Sequence, residues 1–138
     1  MAERADVPAP IVERLRSICD ALPESRPEAA WTGTRWRVGA QTFAHLVAIA
    51  DGWPPAYAKA AGIDGPAVVL TFQSSGEELQ ALSNLGHPYF RPPWRPGIVA
   101  MFVADDTDWD EVAELVTESY CVLAPQRLVA RVARPPAT

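Results

Sequence analysis

The chain has 138 residues, of which 49% are apolar and 21% are charged, and its formal net charge is −5. This size and composition predict a single folded domain over residues 1–138, with a core from about residue 10 to about residue 130, and exclude a chain that is disordered throughout. No apolar run approaches the roughly 18 residues of a membrane-spanning helix, and acids stand where a secretory signal carries apolar residues. A cytoplasmic protein with no membrane contact is therefore expected. The acidic balance argues against a general nucleic-acid coat protein.

The N-terminal third predicts a helix followed by a β-hairpin. Pro23 ends an apolar pattern at helical spacing, which is formed by Ile11, Leu15, Ile18 and Leu22. A connector between Pro23 and Pro27 comes next. Polar and apolar residues then alternate over 35–38, and after a tight turn the returning strand is expected over 42–49.

The middle of the chain predicts a loop, a strand and a short helix. Residues 51–66 contain three prolines and three glycines, which indicates a long loop with a short helical turn inside it. Residues 67–72 are β-branched and aromatic, as in a strand. Ser75 and Glu78 have the spacing of a capping box at the start of a helix, and Gly86 is placed to end that helix.

The C-terminal part predicts a buried strand over 98–103 and one long helix. Thr107 and Asp110 have the spacing of a second helix cap, and Pro125 closes the helix. Its apolar face is formed by Trp109, Val112, Val116, Tyr120 and Leu123. Residues 127–138 are a basic tail, expected to be partly ordered at best. The order of elements predicts a two-layer α+β fold, in which N- and C-terminal helices pack on an antiparallel-rich sheet.

Residues 86–97, hereafter the Pro-rich loop, contain four prolines, three aromatic residues, two arginines and a histidine. Proline fixes φ and donates no backbone hydrogen bond, so this segment is neither a helix interior nor a central strand. It is expected to be a stiff surface loop that presents rings and guanidinium groups. Loops of this kind often carry function.

Several short motifs follow one another in a specific order. They are Leu22-Pro23-Glu24, Trp31 with Arg35-Trp36-Arg37-Val38-Gly39, Gly86-His87-Pro88 with Trp94, and a closing helix with Asp108-Trp109-Asp110-Glu111, Glu118-Ser119-Tyr120 and Leu123-Ala124-Pro125. In this order, from about residue 10 to residue 130, they resemble the MmcQ/YjbR family. The resemblance implies a CyaY-like, frataxin-type fold and a DNA-binding role through two β wings. At the hairpin tip this chain has Gly39-Ala40-Gln41-Thr42-Phe43, where many relatives resemble Gly-Gly-Lys-x-Phe.

The first candidate site is a surface that contacts double-stranded DNA. Strand alternation puts Arg35 and Arg37 on one face, and the Pro-rich loop adds further arginines and a ring if it lies beside that face. Guanidinium groups suit phosphates, and an aromatic ring can stack on a base. The predicted set is Arg35, Arg37, Arg91, Trp94 and Arg95. The alternative is a solvated strand face whose arginines pair with nearby acids.

The second candidate is an aromatic-lined cleft in a non-enzymatic binding or sequestration protein. Such clefts, with a few polar groups, are usual sites for small ligands. The predicted lining, which suits a small aromatic ligand, is Trp31, Trp53, Tyr57 and Phe90. Trp94 of the DNA-contact set is expected to line the same cleft. The alternative is that these rings pack in the core.

The acidic segment from Asp105 to Glu118 contains seven acids and has two interpretations, a metal site and a structural one. The frataxin-like comparison suggests weak metal binding there. The same acids also fit a helix N-terminus and a solvated helix face, and this interpretation is favoured, so no metal site is predicted.

Catalysis has little support in the sequence. His45 is expected to be a hydrogen-bonded packing residue and His87 to cap a helix end. Cys19 and Cys121 are interpreted as small apolar residues on helix faces. No nucleophile elbow, zinc spacing or phosphate loop occurs, so neither a catalytic residue nor a cofactor is predicted.

Overall fold

A computed structural model describes residues 6–132 of the chain. Within these residues, five helices and six strands form an α+β fold. The elements in chain order are α1 (Ala9–Asp20), β1 (Arg26–Ala29), β2 (Thr34–Val38), β3 (Gln41–Ile49), α2 (Pro55–Ala61), β4 (Ala67–Gln73), α3 (Gly76–Leu85), β5 (Tyr89–Phe90), β6 (Ile98–Val103), α4 (Trp109–Leu123) and α5 (Gln126–Val129).

The strands form one antiparallel sheet in the order β1-β2-β3-β4-β6-β5. The predicted hairpin is β2 and β3, joined by a tight turn at Gly39 and Ala40. After β4, the chain passes through α3 and the Pro-rich loop before it returns as β6. The predicted α+β class with an antiparallel sheet is confirmed. No helix among residues 6–132 has the length and apolar character needed to cross a bilayer.

The main core lies between one face of the sheet and the helices α1, α3 and α4. Trp36, Phe43 and Tyr120 are all completely buried there. The rings of Phe43 and Tyr120 meet edge to face with centroids 5.4 Å apart. The Tyr120 hydroxyl donates to the carbonyl of Pro23 at 2.6 Å, which ties α4 to the segment after α1.

A β-bulge at Phe43 changes the alternation of β3, because the pairing of β2 with β3 shifts by one residue there. Ser119 of α4 stabilises this bulge from the core side. Its hydroxyl donates to the Phe43 carbonyl at 2.7 Å and accepts from the Gln73 N–H at 2.8 Å. Because of the bulge, both Thr42 and His45 lie on the face that also carries the β2 arginines.

That other face, hereafter the α2 face, is covered in part by α2 and by the Pro-rich loop. A second, smaller apolar cluster lies on it, made of Val47, Ile49, Tyr57, Ala58, Val69 and Ala100. Gly62 ends α2 in the left-handed region with φ of 72°. Because α2 covers only part of the sheet, space remains between α2, the hairpin and the Pro-rich loop.

Two edge strands lie where the sequence predicted only a connector and a loop. β1 contains Pro27, which an edge strand tolerates because one side of it needs no ladder hydrogen bond. β5 lies inside the Pro-rich loop and pairs with β6. The start of the basic tail forms α5, whose Leu128 is buried; residues 133–138 of that tail lie outside the described residues.

The capping hydrogen bonds of α3 and α4 differ from those that the sequence predicts. Asp108, rather than Thr107, caps α4 and accepts from two backbone N–H groups of the first turn at 3.1 and 3.3 Å. Ser75 has the N-cap position of α3, but its side chain makes no capping hydrogen bond. Instead, Ser74 donates to the carboxylate of Glu78. The cap of α4 is thus one residue later than predicted, and Ser75 does not cap α3 through its side chain.

Candidate functional site

A row of side chains crosses the α2 face, with one residue from each strand. Directly paired residues of neighbouring antiparallel strands lie on the same face, with Cβ atoms about 5 Å apart. From one edge of the sheet to the other, the row is Glu28, Arg35, His45, Thr71, Ala100 and Phe90. Its first four members are polar and its last two are apolar, so the polar chemistry of this face lies on the side of the hairpin.

Glu28 pairs with both arginines of the hairpin. Its carboxylate accepts from Nε of Arg35 at 3.0 Å and also from Nη2 of that residue, and its second oxygen lies 3.6 Å from Nη1 of Arg37. The hydrogen bond from Arg35 is the main cause that lowers the pKa of Glu28, so this carboxylate is ionised at neutral pH. Arg37 also donates to the carbonyl of Ala40 at 2.6 Å. The pairing of these arginines with a nearby acid, the alternative raised from the sequence, is thus present in the fold.

The Pro-rich loop folds back onto the same face of the sheet. Arg91 anchors it, because its guanidinium donates to the Ile98 carbonyl at 2.9 Å and to the Ser83 hydroxyl at 2.7 Å. Further along the loop, the Trp94 ring meets the Tyr57 ring of α2 edge to face, with centroids 4.7 Å apart. The loop therefore reaches across the sheet to α2.

A cavity of about 310 Å³ lies between the hairpin, α2 and the Pro-rich loop. It is lined by Ala30, Trp31, Arg35, Thr42, His45, Tyr57, Thr71, Phe72, Trp94, Arg95 and Ile98. Members of both predicted sets meet here: Arg35, Trp94 and Arg95 from the DNA-contact set, and Trp31 and Tyr57 from the aromatic set. Five residues from the two predicted sets therefore line one cavity.

The other four predicted residues lie around this cavity rather than in its wall. Arg37 lies at the hairpin tip and Arg91 anchors the loop. Trp53 meets the ring of Trp31 edge to face, with centroids 5.6 Å apart. Phe90 packs on Phe102 with centroids 5.0 Å apart, beside the smaller apolar cluster. Trp31 is 64% exposed and Trp94 is 41% exposed, so the aromatic rim of the cavity faces solvent.

His45 and Tyr57 form a hydrogen-bonded pair in the cavity wall. Nε2 of His45 lies 2.8 Å from the carbonyl oxygen of Thr32, which can only accept, so Nε2 carries the proton. In the neutral ring Nδ1 is then an acceptor, and the Tyr57 hydroxyl, 3.1 Å away, donates to it. Burial is the main cause that lowers the pKa of His45, and the ring is neutral at pH 7. Burial likewise raises the pKa of Tyr57 to about 12.

Gly33 allows the backbone that carries Thr32 to approach β3. Its φ is +72°, and a Cβ at this position would lie 1.9 Å from the carbonyl oxygen of Leu46. Only glycine fits this contact. The sequence alone does not indicate that His45 and Thr32 meet at the site, because their contact depends on this close approach and on the bulge at Phe43.

The cavity has a positive electrostatic character. Among residues 6–132 no acid lines its wall, and the charge of Arg35 is offset by Glu28. No acid within residues 6–132 forms an ion pair with Arg95. The guanidinium of Arg95 is thus the charge that a ligand in this cavity would meet first.

A larger cavity of about 670 Å³ lies near the other end of the sheet, between β6, the end of α2 and the start of α4. Its wall is mainly apolar, and two of its acids already have structural partners. Glu111 accepts a hydrogen bond from Tyr89, and Asp108 caps α4. The smaller cavity on the α2 face is therefore the better candidate site.

The acidic helix α4 and the buried Cys19 are the other groups that the sequence raised as possible sites. No group of three or more His, Cys, Asp or Glu side chains among residues 6–132 is placed to hold a metal ion. Cys19 is completely buried, and burial raises the pKa of its thiol far above the ordinary value, so the thiol stays protonated. It behaves as the small apolar residue that the sequence predicted.

Comparison with known proteins identifies the family. The profile of the YjbR family matches residues 20–122, about three quarters of the chain. The chain belongs to the YjbR family. This confirms the resemblance found in the sequence.

Among solved structures, this YjbR protein is similar to the crystal structure of a protein from Pseudomonas syringae that was determined by the Northeast Structural Genomics Consortium. The TM-score is 0.59 at 14% sequence identity, and the match covers 82% of this chain and 95% of the other. At this identity the likeness shows a shared fold. A search of curated proteins gave no match.

Proposed function

We propose that this protein binds a small anion that carries an aromatic ring, without catalysing a reaction, and that the cavity on the α2 face is its binding site. The observation that carries this proposal is the meeting of Arg95, which has no acidic partner in the described chain, with the rings of Trp31, Tyr57 and Trp94 in one cavity of about 310 Å³. This volume is at the lower end of the range typical of small-molecule sites.

The chemistry of the wall supports an anion with a planar body. A guanidinium binds a carboxylate, sulfonate or phosphate through parallel hydrogen bonds, which a cation or a neutral ring cannot form. The Trp94 ring meets the buried Tyr57 ring edge to face and is itself 41% exposed, so a planar ligand can pack on it. Thr42 and Thr71 add hydroxyl groups to the floor of the cavity. A ligand without charge would use only part of this wall.

The proposal is tested by titrating the protein with 2-naphthalenesulfonate, followed by isothermal calorimetry. We expect binding that weakens about tenfold or more in Arg95→Gln and in Trp94→Ala, because one loses a charge-assisted hydrogen bond and the other a ring contact. Arg127→Gln is the matched control, since it removes the same charge from α5 and should leave the affinity unchanged. The uncharged analogue 2-methylnaphthalene should bind more weakly than the sulfonate. Equal binding of the two compounds, or equal loss in the control, would contradict an anion site in this cavity.

Contact with double-stranded DNA is the second candidate function. It is supported by the arginines at the hairpin, where Arg26 and Arg37 donate to the carbonyls of Gly39 and Ala40 at 2.7 and 2.6 Å. These bonds hold guanidinium groups at the turn between β2 and β3, and the family resemblance implies DNA contact through β wings. The pairing of Glu28 with Arg35 and Arg37 opposes this role, because it offsets positive charge on the same face.

Two further inferences accompany the proposed function. A frataxin-type fold is supported by the antiparallel sheet that α1 and α4 cover on one face. A cytoplasmic location is supported by Cys19, which is a buried thiol, as suits a reducing compartment.

A further inference from the structure

We propose that the anion binds together with one proton, which His45 takes up, and that the Tyr57 hydroxyl then turns from His45 towards the anion. This inference rests on the proposed anion binding and adds to it a pH dependence and a second polar contact. It gives a role in anion binding to His45 and to the hydroxyl group of Tyr57, in addition to the role of the arginines.

The starting point is the hydrogen-bond pattern without a ligand. Nε2–H of His45 donates to the Thr32 carbonyl, and Nδ1 accepts from the Tyr57 hydroxyl. The only hydrogen of that hydroxyl is therefore used within the pair. The phenolic oxygen then has only lone pairs to offer to a ligand, and lone pairs repel an anion.

Protonation of His45 reverses the bond within the pair. A proton from solvent adds to Nδ1, so both ring nitrogens become donors, and Nδ1–H donates to the Tyr57 oxygen. The hydroxyl hydrogen of Tyr57 is released and can donate to an anion in the cavity. No covalent bond of the protein breaks, and the only change is one proton gained. Because burial raises the pKa of Tyr57 to about 12, this residue remains a phenol throughout.

The charges around His45 explain why the proton and the anion enter together. Arg35 lies directly across from His45 on β2, and Arg95 reaches the cavity from the Pro-rich loop. Glu28 lies on β1, and its charge is already paired with Arg35. The neighbours of His45 on β4 and α2 are the hydroxyl groups of Thr71 and Tyr57.

The sign of the pH dependence follows from these neighbours. Without a ligand, burial first, and then the charge of Arg35, disfavour the imidazolium. A bound anion supplies the missing negative charge and raises the pKa of His45. Affinity for the anion therefore increases as pH falls through the pKa of the bound form, and levels off below the pKa of the free form.

The test uses the ring signals of the two histidines in a nuclear magnetic resonance titration from about pH 8 to about pH 5, with and without 2-naphthalenesulfonate. The sulfonate stays ionised over this range, so any change comes from the protein. We expect the pKa of His45 to rise on binding, and the affinity for the probe to increase about tenfold for each unit of that rise. His87→Gln identifies the His45 signal and should leave both effects intact, since His87 stacks on Phe102 outside the cavity.

Tyr57→Phe tests the role of the Tyr57 hydroxyl separately from proton uptake by His45. The variant keeps the ring that packs in the apolar cluster but has no hydroxyl to turn, so the ratio of the affinity near pH 5 to the affinity near pH 8 should fall several-fold. A probe affinity that is constant with pH, with an unshifted His45 signal, would overturn the proton uptake and leave anion binding intact. An unchanged gain in Tyr57→Phe would overturn the role of the hydroxyl. Absence of binding at every pH would overturn both this inference and the proposed function.

Discussion

At the scale of single residues, Ser119 shows how one buried hydroxyl can fix the geometry of a distant surface. It is completely buried on α4, yet its two hydrogen bonds end on β3 and on the last residue of β4. The acceptor on β3 is the carbonyl of the bulge residue Phe43. Because this bulge sets which residues of β3 face the cavity, Ser119 supports the orientation of His45 from the opposite side of the sheet.

Ser119→Ala should therefore lower the free energy of unfolding by about 1–3 kcal/mol, since the Gln73 N–H and the Phe43 carbonyl both lose a buried partner. The measurement is urea denaturation followed by circular dichroism. Ser17→Ala is the matched control. Its hydroxyl bonds a carbonyl one turn earlier on the exposed face of α1, and we expect a change within about 0.5 kcal/mol. If both variants lost the same stability, the bridge between α4 and the bulge would have no special role.

The same bulge marks the limit of prediction from strand alternation. On β2 the alternation was correct, because Trp36 and Val38 are buried in the core while Arg35 and Arg37 take the other face. On β3 the extra residue at Phe43 changes the phase, so a simple period of two does not place Thr42 and His45 together. A bulge depends on contacts from another element, here α4, and those contacts are not local in sequence.

At the scale of elements, β1 has more influence on the site than its four residues suggest. It is an edge strand with no periodic pattern, which is why the sequence indicated only a connector there. Its register with β2 puts Glu28 directly opposite Arg35. This edge strand therefore sets how much positive charge the α2 face presents.

Glu28→Gln should increase the affinity for 2-naphthalenesulfonate several-fold, because Arg35 and Arg37 lose their acidic partner while the shape of β1 is retained. Calorimetry at low ionic strength gives the clearest reading, since exposed charges are screened by salt. Glu24→Gln is the control, as it removes the same charge from the partner of Arg127 on the helix side. An affinity that is unchanged in Glu28→Gln and lower in Arg95→Gln would show that the ligand meets Arg95 alone.

At the scale of the whole molecule, the sheet separates two charged layers. The acids of α4 belong to the helix layer, whereas the hairpin arginines and the cavity lie on the α2 face. The sequence predicted this uneven distribution of charge, since residues 101–126 contain seven acids and no Lys or Arg. It could not show that the two groups face opposite ways, which depends on how the crossover through α3 and the Pro-rich loop places α4.

This arrangement limits the number of phosphates of double-stranded DNA that the protein can contact. Each phosphate neutralised by the protein adds about −0.9 to the slope of log affinity against log salt concentration. The arginines near the hairpin turn are Arg26 of β1 and Arg35 and Arg37 of β2, and Glu28 offsets part of their charge. We therefore expect a slope no steeper than about −3, with measurable binding only at low ionic strength.

Fluorescence anisotropy with a labelled mixed-sequence duplex measures this slope. The double variant Arg35→Ala/Arg37→Ala should abolish the low-salt binding, whereas Arg127→Ala/Arg131→Ala, with the same change in net charge on the helix side, should not. A slope near −6 or steeper would require about twice as many phosphate contacts as the hairpin arginines can supply, and would make DNA the main ligand. Absence of any binding at low salt would leave the cavity as the functional site. It would mean that the net charge of −5 outweighs the attraction of the arginines for a polyanion, so that DNA does not reach the α2 face.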